Sequence, residues 1–294
     1  MRVLITGKNS YIGKAVKAWL EQTEPTFSVL SVCVRDEKWK QVDFQGYDAV
    51  FHVAGIAHSD LSGATDAQKA QYYDVNTELP FLIAQKAKAS GVKHFIFMSS
   101  MIVYGAAAPI GQGKCITAQT KPEPANFYGD SKWQAELKLD ALREADFKIA
   151  VIRPPMIYGQ GAKGNYPKLA RLAQKSPFFP DVKNARSLLH VDNLCALVRL
   201  ILANRAGGVF HPQNDLVVST ADLVVAVAAA HGKKMRLVKG LNPLLKLLSR
   251  RALLVDKIFG SFSYDLTLSE TELGDYRVRS FEESIKRTEL PNPL

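Results

Sequence analysis

In the first half of the chain, short apolar runs alternate with longer stretches whose apolar positions recur at helical spacing. That alternation predicts an α/β fold, a doubly wound parallel sheet covered by helices. Arg2–Thr6 is the first predicted strand, Tyr11–Glu21 the first helix and Phe27–Val34 the second strand. Few residues separate Arg35 from the next strong strand, Ala49–Ala54. Gln41–Phe44 fits a short strand there, but a full crossover helix does not fit. Asp74–Ser90 predicts a long helix closed by Gly91, and His94–Ser99 a buried strand. Tyr128–Ala145 has helical periodicity, and Lys148–Arg153 is a strand stopped by Pro154 and Pro155. Beyond Tyr158 the pattern loosens into turns rich in glycine and proline, which puts the main boundary near residues 158–165. Ala221–His231 predicts a helix capped by Ser219 or Thr220.

Composition narrows the class. The 294 residues are 47% hydrophobic and 22% charged, ordinary for a globular protein. No apolar run reaches the roughly 18 residues of a membrane-spanning helix. The opening MRVLITG has the character of a buried strand and not of a leader peptide. Cys33, Cys115 and Cys195 are too far apart for a disulfide framework or a metal cluster, so we expect no metal and a cytoplasmic setting. The net charge of +10 suits a polyanionic partner (a dinucleotide, a nucleoside diphosphate sugar, an anionic membrane face) or a merely basic solvated surface. Zinc-finger spacing and aromatic-basic RNA motifs are absent, which argues against nucleic acid.

The first strand runs straight into Thr6-Gly7-Lys8-Asn9-Ser10-Tyr11-Ile12-Gly13 and then a helix. A pyrophosphate needs backbone N–H donors at a helix N-terminus and no bulky side chain in the turn. Gly7 would make the tight turn and Gly13 the close helix–strand contact, while Ser10 stands where a middle glycine is expected. Cofactor choice is set where the second strand ends, at Val34-Arg35-Asp36. Arg35 and Lys8 lean towards the extra phosphate of NADP; Asp36 keeps NAD open. Asp43 could bond the adenine amine or simply end a strand.

Tyr128 and Lys132 in Y-G-D-S-K share one helix face at i and i+4. A phenol of pKa about 10 is a poor base at neutral pH, and a neighbouring ammonium lowers it. Ser100 closes a predicted strand, so its hydroxyl would face the crevice where ligands bind. It could orient the same oxygen that exchanges a proton with Tyr128 as hydride moves.

In this company the sequence resembles the extended short-chain dehydrogenase/reductase family, in particular UDP-galactose 4-epimerases and nucleotide-4-keto-sugar reductases. The pieces are T-G-K-N-S-Y-I-G at 6–13, H-V-A-G at 52–55, Asn76, S-S-M-I-V-Y-G at 99–105, Y-G-D-S-K at 128–132, R-P-P-M-I-Y-G at 153–159 and R-S-L-L-H-V-D-N at 186–193. The resemblance implies a Rossmann domain at 1–160. Residues 161–294 would form a smaller substrate-binding lobe, with some segments returning to the sheet. It makes Ser100, Tyr128 and Lys132 the catalytic triad. Gly7, Asn9, Ser10, Tyr11, Ile12, Gly13, Arg35, Asp43, Val53, Ala54, Gly55, Asn76, Tyr128, Lys132 and Pro155 would hold NAD(P), with NADP(H) slightly favoured. Ser100, Asn165, Lys168 and Arg186 would meet a nucleotide sugar, Arg186 at its diphosphate. A homodimer paired through the helices near 74–90 and 128–145 is also implied.

Departures from the family pattern matter. Met156 stands where many relatives carry asparagine, and Met101-Ile102 follow Ser100 where 4,6-dehydratases place an acid pair, so dehydration is not expected. A 4-epimerase and a 4-keto-sugar reductase both remain, and so does a non-catalytic Rossmann protein that senses cofactor. Residues 241–259 are apolar and basic. They fit either a helix weakly touching an anionic membrane or a core helix of the second lobe.

Overall fold

The computed structural model describes residues 1–57, 63–241, 245 and 253–290. Its centre is a six-stranded, all-parallel sheet in the order β10-β6-β4-β3-β1-β2. These strands are β1 (Arg2–Thr6), β2 (Ser28–Val32), β3 (Ala49–His52), β4 (His94–Met98), β6 (Lys148–Ile152) and β10 (Gly208–Phe210). Val3, Leu4 and Ile5 of β1 are all buried, as a strand covered on both faces requires. On one face, α1 (Tyr11–Thr23) packs through Val16 and Leu20 against Leu194, Leu197 and Ile201 of α6 (Val191–Ala203). On the other lie α3 (Leu79–Ala89) and α4 (Phe127–Asp140), whose Ile83, Ala87, Ala135 and Leu139 share a core with Phe95 and Phe97. The segment 191–210 thus returns to the sheet and its covering helices.

Three expectations are corrected. No strand forms over Gln41–Phe44: Glu37–Gln41 is a 3-10 helix capped by Asp36, and the chain then turns, with Asp43 Oδ1 accepting from Gln45 N. Trp39 and Phe44 are buried beneath the sheet edge there, so core filling replaces a strand. The predicted helix at 74–90 begins earlier, with α2 (Asp66–Tyr73), started by a Thr65–Gln68 capping box. A π-helical turn, Asp74–Glu78, joins it to α3. The helix predicted over 128–145 stops at Asp140, because Glu144 and Phe147 bridge to reverse the chain into β6.

The remaining elements form short parallel ladders and helices. β7 (Met156–Tyr158) pairs with β9 (Leu188–His190), β8 (Phe178–Pro180) with β11 (Arg236–Val238), and β5 (Cys115–Ile116) with β12 (Ser263–Tyr264). Around them, α5 (Tyr166–Lys175), α7 (Thr220–Ala230), α8 (Leu253–Phe259) and α9 (Phe281–Glu289) contribute to a second core. Ser219 is the cap of α7. Much of the basic, apolar stretch at 241–259 lies outside the described residues. No helix among those described is long and apolar enough to cross a membrane.

Candidate active site

Strand order reverses between β2-β1 and β3-β4, so a crevice opens at the carboxyl ends of β1 and β3. The glycine loop sits there. Gly7 has φ 127°, and a Cβ on it would come within 2.9 Å of Ala54 N. One on Gly13 would come within 3.1 Å of Gly7 O and Val53 Cγ1. The loop therefore needs glycine at both positions and leaves backbone N–H groups at the start of α1, a cradle of the shape a pyrophosphate takes. Ser10 is the N-cap of α1, and its Oγ accepts from Gly13 N at 3.3 Å. It replaces the middle glycine without strain, since its φ of −67° is open to any residue. Lys8 and Asn9 are exposed, Tyr11 and Ile12 half-buried.

The π-helical turn carries Asn76 inward, where it is fully buried. Its Oδ1 accepts from Ile56 N, and its Nδ2 donates to Ile56 O and Ser131 Oγ. Asn76 thereby ties the Val53-Ala54-Gly55 loop to α4. Gly55 lies against that junction: a Cβ there would meet Asn76 Oδ1 at 3.0 Å and Lys132 Nζ at 3.2 Å. Pro155 is buried just after β6, beside Pro154, whose carbonyl accepts from Met101 N.

Ser100 follows β4 and caps the short 3-10 helix Met101–Tyr104. Its Oγ accepts from Ile102 N, and its hydroxyl neighbours that of Tyr128 closely enough to act on the phenol. On α4, Lys132, Ala135, Glu136 and Leu139 form the buried stripe. Lys132 Nζ donates to Met98 O at 2.9 Å and lies 4.7 Å from the centroid of the Phe97 ring. The expected lowering of the phenol by this ammonium is not what the structure shows. Burial pushes Tyr128 up to about 12, and the neighbouring Ser100 hydroxyl offsets only part of that. Burial also pulls Lys132 down to about 8, against the opposing charge of Glu136. Behind this group, Glu136 pairs with Arg153 at 2.5 Å and accepts from Ser99 Oγ. Arg153 donates to Tyr104 Oη, which contacts His211 Nε2 at 2.8 Å. Glu136 sits one turn beyond Lys132 on an otherwise apolar face, a signal the sequence reading passed over.

A narrow cleft opens between α5, β9, α7 and α8. Met156, Asn165, Arg186, Ser219, Thr220 and Lys257 are among its lining residues. Arg186 is fixed by backbone hydrogen bonds to Val218 on one side, and its Nη1 donates to Gly260 O at 3.0 Å. No carboxylate pairs with it among the described residues, and burial lowers its pKa. A cation so placed suits an anionic ligand. Lys168 does not join Asn165 and Arg186: it is exposed on the outer side of α5, while Leu169 faces the cleft. Lys257, unflagged in the sequence, supplies the other cation at the wall. On the opposite side of the fold, Arg35 is exposed, and Asp36 is engaged as a cap, accepting from Lys38 N. Asp43, likewise exposed, is held in its turn.

Comparisons with known proteins bear on the family and the fold. A UDP-glucose 4-epimerase of Vibrio cholerae is 31% identical over 253 residues, spanning 81% of this chain and 75% of that protein. A GDP-6-deoxy-D-mannose reductase of Pseudomonas aeruginosa is 29% identical over 236 residues, covering 71% and 73% of the two chains. The solved structure of MoeE5 in complex with UDP-glucose and NAD superposes with a TM-score of 0.72 at 19% identity, over 98% of this chain and 97% of that one. The model of the NAD dependent epimerase/dehydratase family matches residues 3–214, a span that holds the glycine loop, Ser100, Tyr128, Lys132 and Arg186, and the chain belongs to that family.

Proposed function

We propose that the protein transfers hydride at C4 of a nucleotide sugar, UDP-linked by preference, in sugar-nucleotide or surface polysaccharide metabolism, as a 4-epimerase or 4-keto-sugar reductase. The observation that carries this reading is that Ser100, at the carboxyl end of β4, neighbours the Tyr128 hydroxyl, with Lys132 one turn further along α4. It brings two hydroxyls together in an arrangement suited to a single sugar oxygen. A bound nicotinamide dinucleotide supplies the hydride donor or acceptor. The Gly7–Gly13 loop, Val53–Gly55, Asn76 and Pro155 would hold it, and Lys132 would reach its ribose.

The chain's own groups handle the proton. Tyr128 Oη gives a proton to the C4 carbonyl oxygen, or takes one from the C4 hydroxyl in the reverse direction, while Ser100 orients that oxygen. The raised phenol is well suited to donation. Lys132 supplies positive charge to the proton-transfer step only while protonated. Carbonyl reduction should therefore hold level below pH 7 and fall as pH rises through about 8, where Lys132 loses its proton. A pH profile of kcat/KM tests this; a rate that climbs through pH 9 would contradict it. Asn165 and Arg186 would take the nucleotide diphosphate, Arg186 matching phosphate oxygens with its planar fork.

Arg35, exposed and without an ion pair among the described residues, favours NADP(H), since Asp36 is already spent on a cap. We assign residues 1–160, with 191–210, to dinucleotide binding and most of 161–294 to the sugar nucleotide. A homodimer would use α3 and α4, where Leu82 and Leu137 are 44% and 47% exposed. The setting we propose is cytoplasmic.

Tyr128→Phe is the test. It should cut kcat by about 100- to 10,000-fold with dinucleotide binding retained. Full activity in that variant would sink the reading. The same preparation, denatured, separates the two chemistries: stoichiometric NAD indicates an epimerase that keeps its cofactor. An empty protein that binds NADPH more tightly than NADH indicates a reductase.

A further inference from the structure

The positive charge of this chain is confined to one region. Residues 161–260 hold 16 Lys and Arg against 5 Asp and Glu, while the rest of the chain holds 22 against 23. Much of the excess lies on one described face. Along α5, Lys168, Arg171, Leu172 and Lys175 occupy i, i+3, i+4 and i+7 and are all exposed, with Leu169, Ala170 and Ala173 buried behind them. The chain then turns at Ser176, whose Oγ donates to Phe178 O and accepts from Phe178 N. Phe178 pairs in parallel register with Arg236 of β11, and both side chains are exposed. Lys239 is exposed just beyond β11, and Lys233 is tied back to α5 through Gln174 O. Lys168, Arg171, Lys175, Arg236 and Lys239 make no ion pair with the described residues.

Within this field of cations stand two large apolar side chains, Phe178 at 52% and Leu172 at 43% exposure. Together they add apolar area to a basic face, where a second copy of the same face would be repelled. We propose that this face, formed by α5, the 176–178 turn and β11, docks on an anionic lipid bilayer. Its lysines and arginines lie over acidic headgroups, and Phe178 and Leu172 enter the interface. Nucleic acid fits less well, because the exposed apolar pair lacks the flanking amide groups and stacked aromatic platforms of base readout. The opposite side of α5 lines the Arg186 cleft through Asn165 and Leu169, so docking would bring that cleft near the membrane surface. The inference goes beyond the proposed catalysis and does not depend on it.

The experiment is co-sedimentation of the full chain with phosphatidylcholine vesicles, with and without phosphatidylglycerol. Binding is expected only to the anionic vesicles and should weaken with added salt. Reversing Arg171, Lys175 and Arg236 together to Glu should weaken it on the order of 100-fold, at roughly 5-fold or more per cation. The same charge change made elsewhere, at Lys69, Lys93 and Lys121, should leave most of the binding. Phe178→Ser, at an exposed site that does not support the fold, should weaken binding on its own and covers the case in which the triple variant fails to fold. No binding to anionic vesicles at low salt, equal losses from the two triple variants, or tighter binding to random-sequence RNA than to vesicles would each overturn the proposal.

Discussion

Two arginines, Arg153 and Arg186, show how the same side chain serves opposite ends. Arg153, behind α4, is 7% exposed and fully partnered: Glu136 holds its fork and Tyr104 its other edge. Burial alone would lower its pKa, but Glu136 and Tyr104 reverse the sign and the net shift is upward. Arg186, at the cleft, has one carbonyl partner and no carboxylate among the described residues, and burial draws its pKa down. The first charge is neutralised from within and belongs to the architecture. The second has no such partner, which is why we propose that it takes an anion from outside.

That contrast can be broken by mutation. Glu136→Ala would strand Arg153 as an unpaired buried charge and should cost about 3–5 kcal/mol of unfolding free energy in urea. A loss of no more than about 1 kcal/mol would mean the pair behaves like a surface ion pair. Arg186→Ala should do the reverse. Stability should change by less than about 1 kcal/mol, while the KM for a UDP-sugar rises roughly 100-fold, the effect of removing a desolvated cation from its anion. UDP should raise the Tm of the wild type and lose that effect in the variant, as linkage requires. If Arg186→Ala unfolds the protein instead, the two arginines are not different in kind.

A shared effect of the buried histidines comes from pH. His52 and His94, in the sheet, and His190, near the cleft, are buried and held neutral, with burial pushing them down to about 3, 4 and 4. The unfolded chain takes up protons at these positions from about pH 6.5. Their contribution is therefore present above that pH and is lost as pH falls towards 4, by up to about 1.4 kcal/mol per pH unit for each group. Thermal melts between pH 7.5 and 5 should show a falling Tm. A flat profile would mean that these rings are protonated in the folded protein.

Much of the fold was legible because its signals are local. Val3, Leu4 and Ile5 form an apolar run that only a buried strand accommodates, and Gly7 and Gly13 mark the turn that follows it. The start of α2 had a local signal too, the Thr65–Gln68 capping box, which was there to be seen. Other features have none. Gln41–Phe44 fits a short strand in the sequence, yet the segment instead buries Trp39 and Phe44 in the core shared with α3 and α4. Lys168 was grouped with Asn165 and Arg186 by the family resemblance, but here its side chain is exposed on the outer side of α5 while Asn165 and Leu169 line the cleft.

By itself the sequence determined the main alternation of strands and helices through the first half of the chain, the glycine turn after β1 and the placing of Tyr128 and Lys132 on one helix face. Each depends on spacing along a single element, and helical and strand periods are properties of the backbone. Tertiary structure alone decided that Glu136 belongs to Arg153, that Arg186 has Gly260 and no carboxylate beside it, and that Phe178 lies next to Arg236. It also decided that burial raises the Tyr128 phenol, against the lowering expected from its neighbouring ammonium. Charge and desolvation act through space, and the partners that set them are brought together only when distant segments pack.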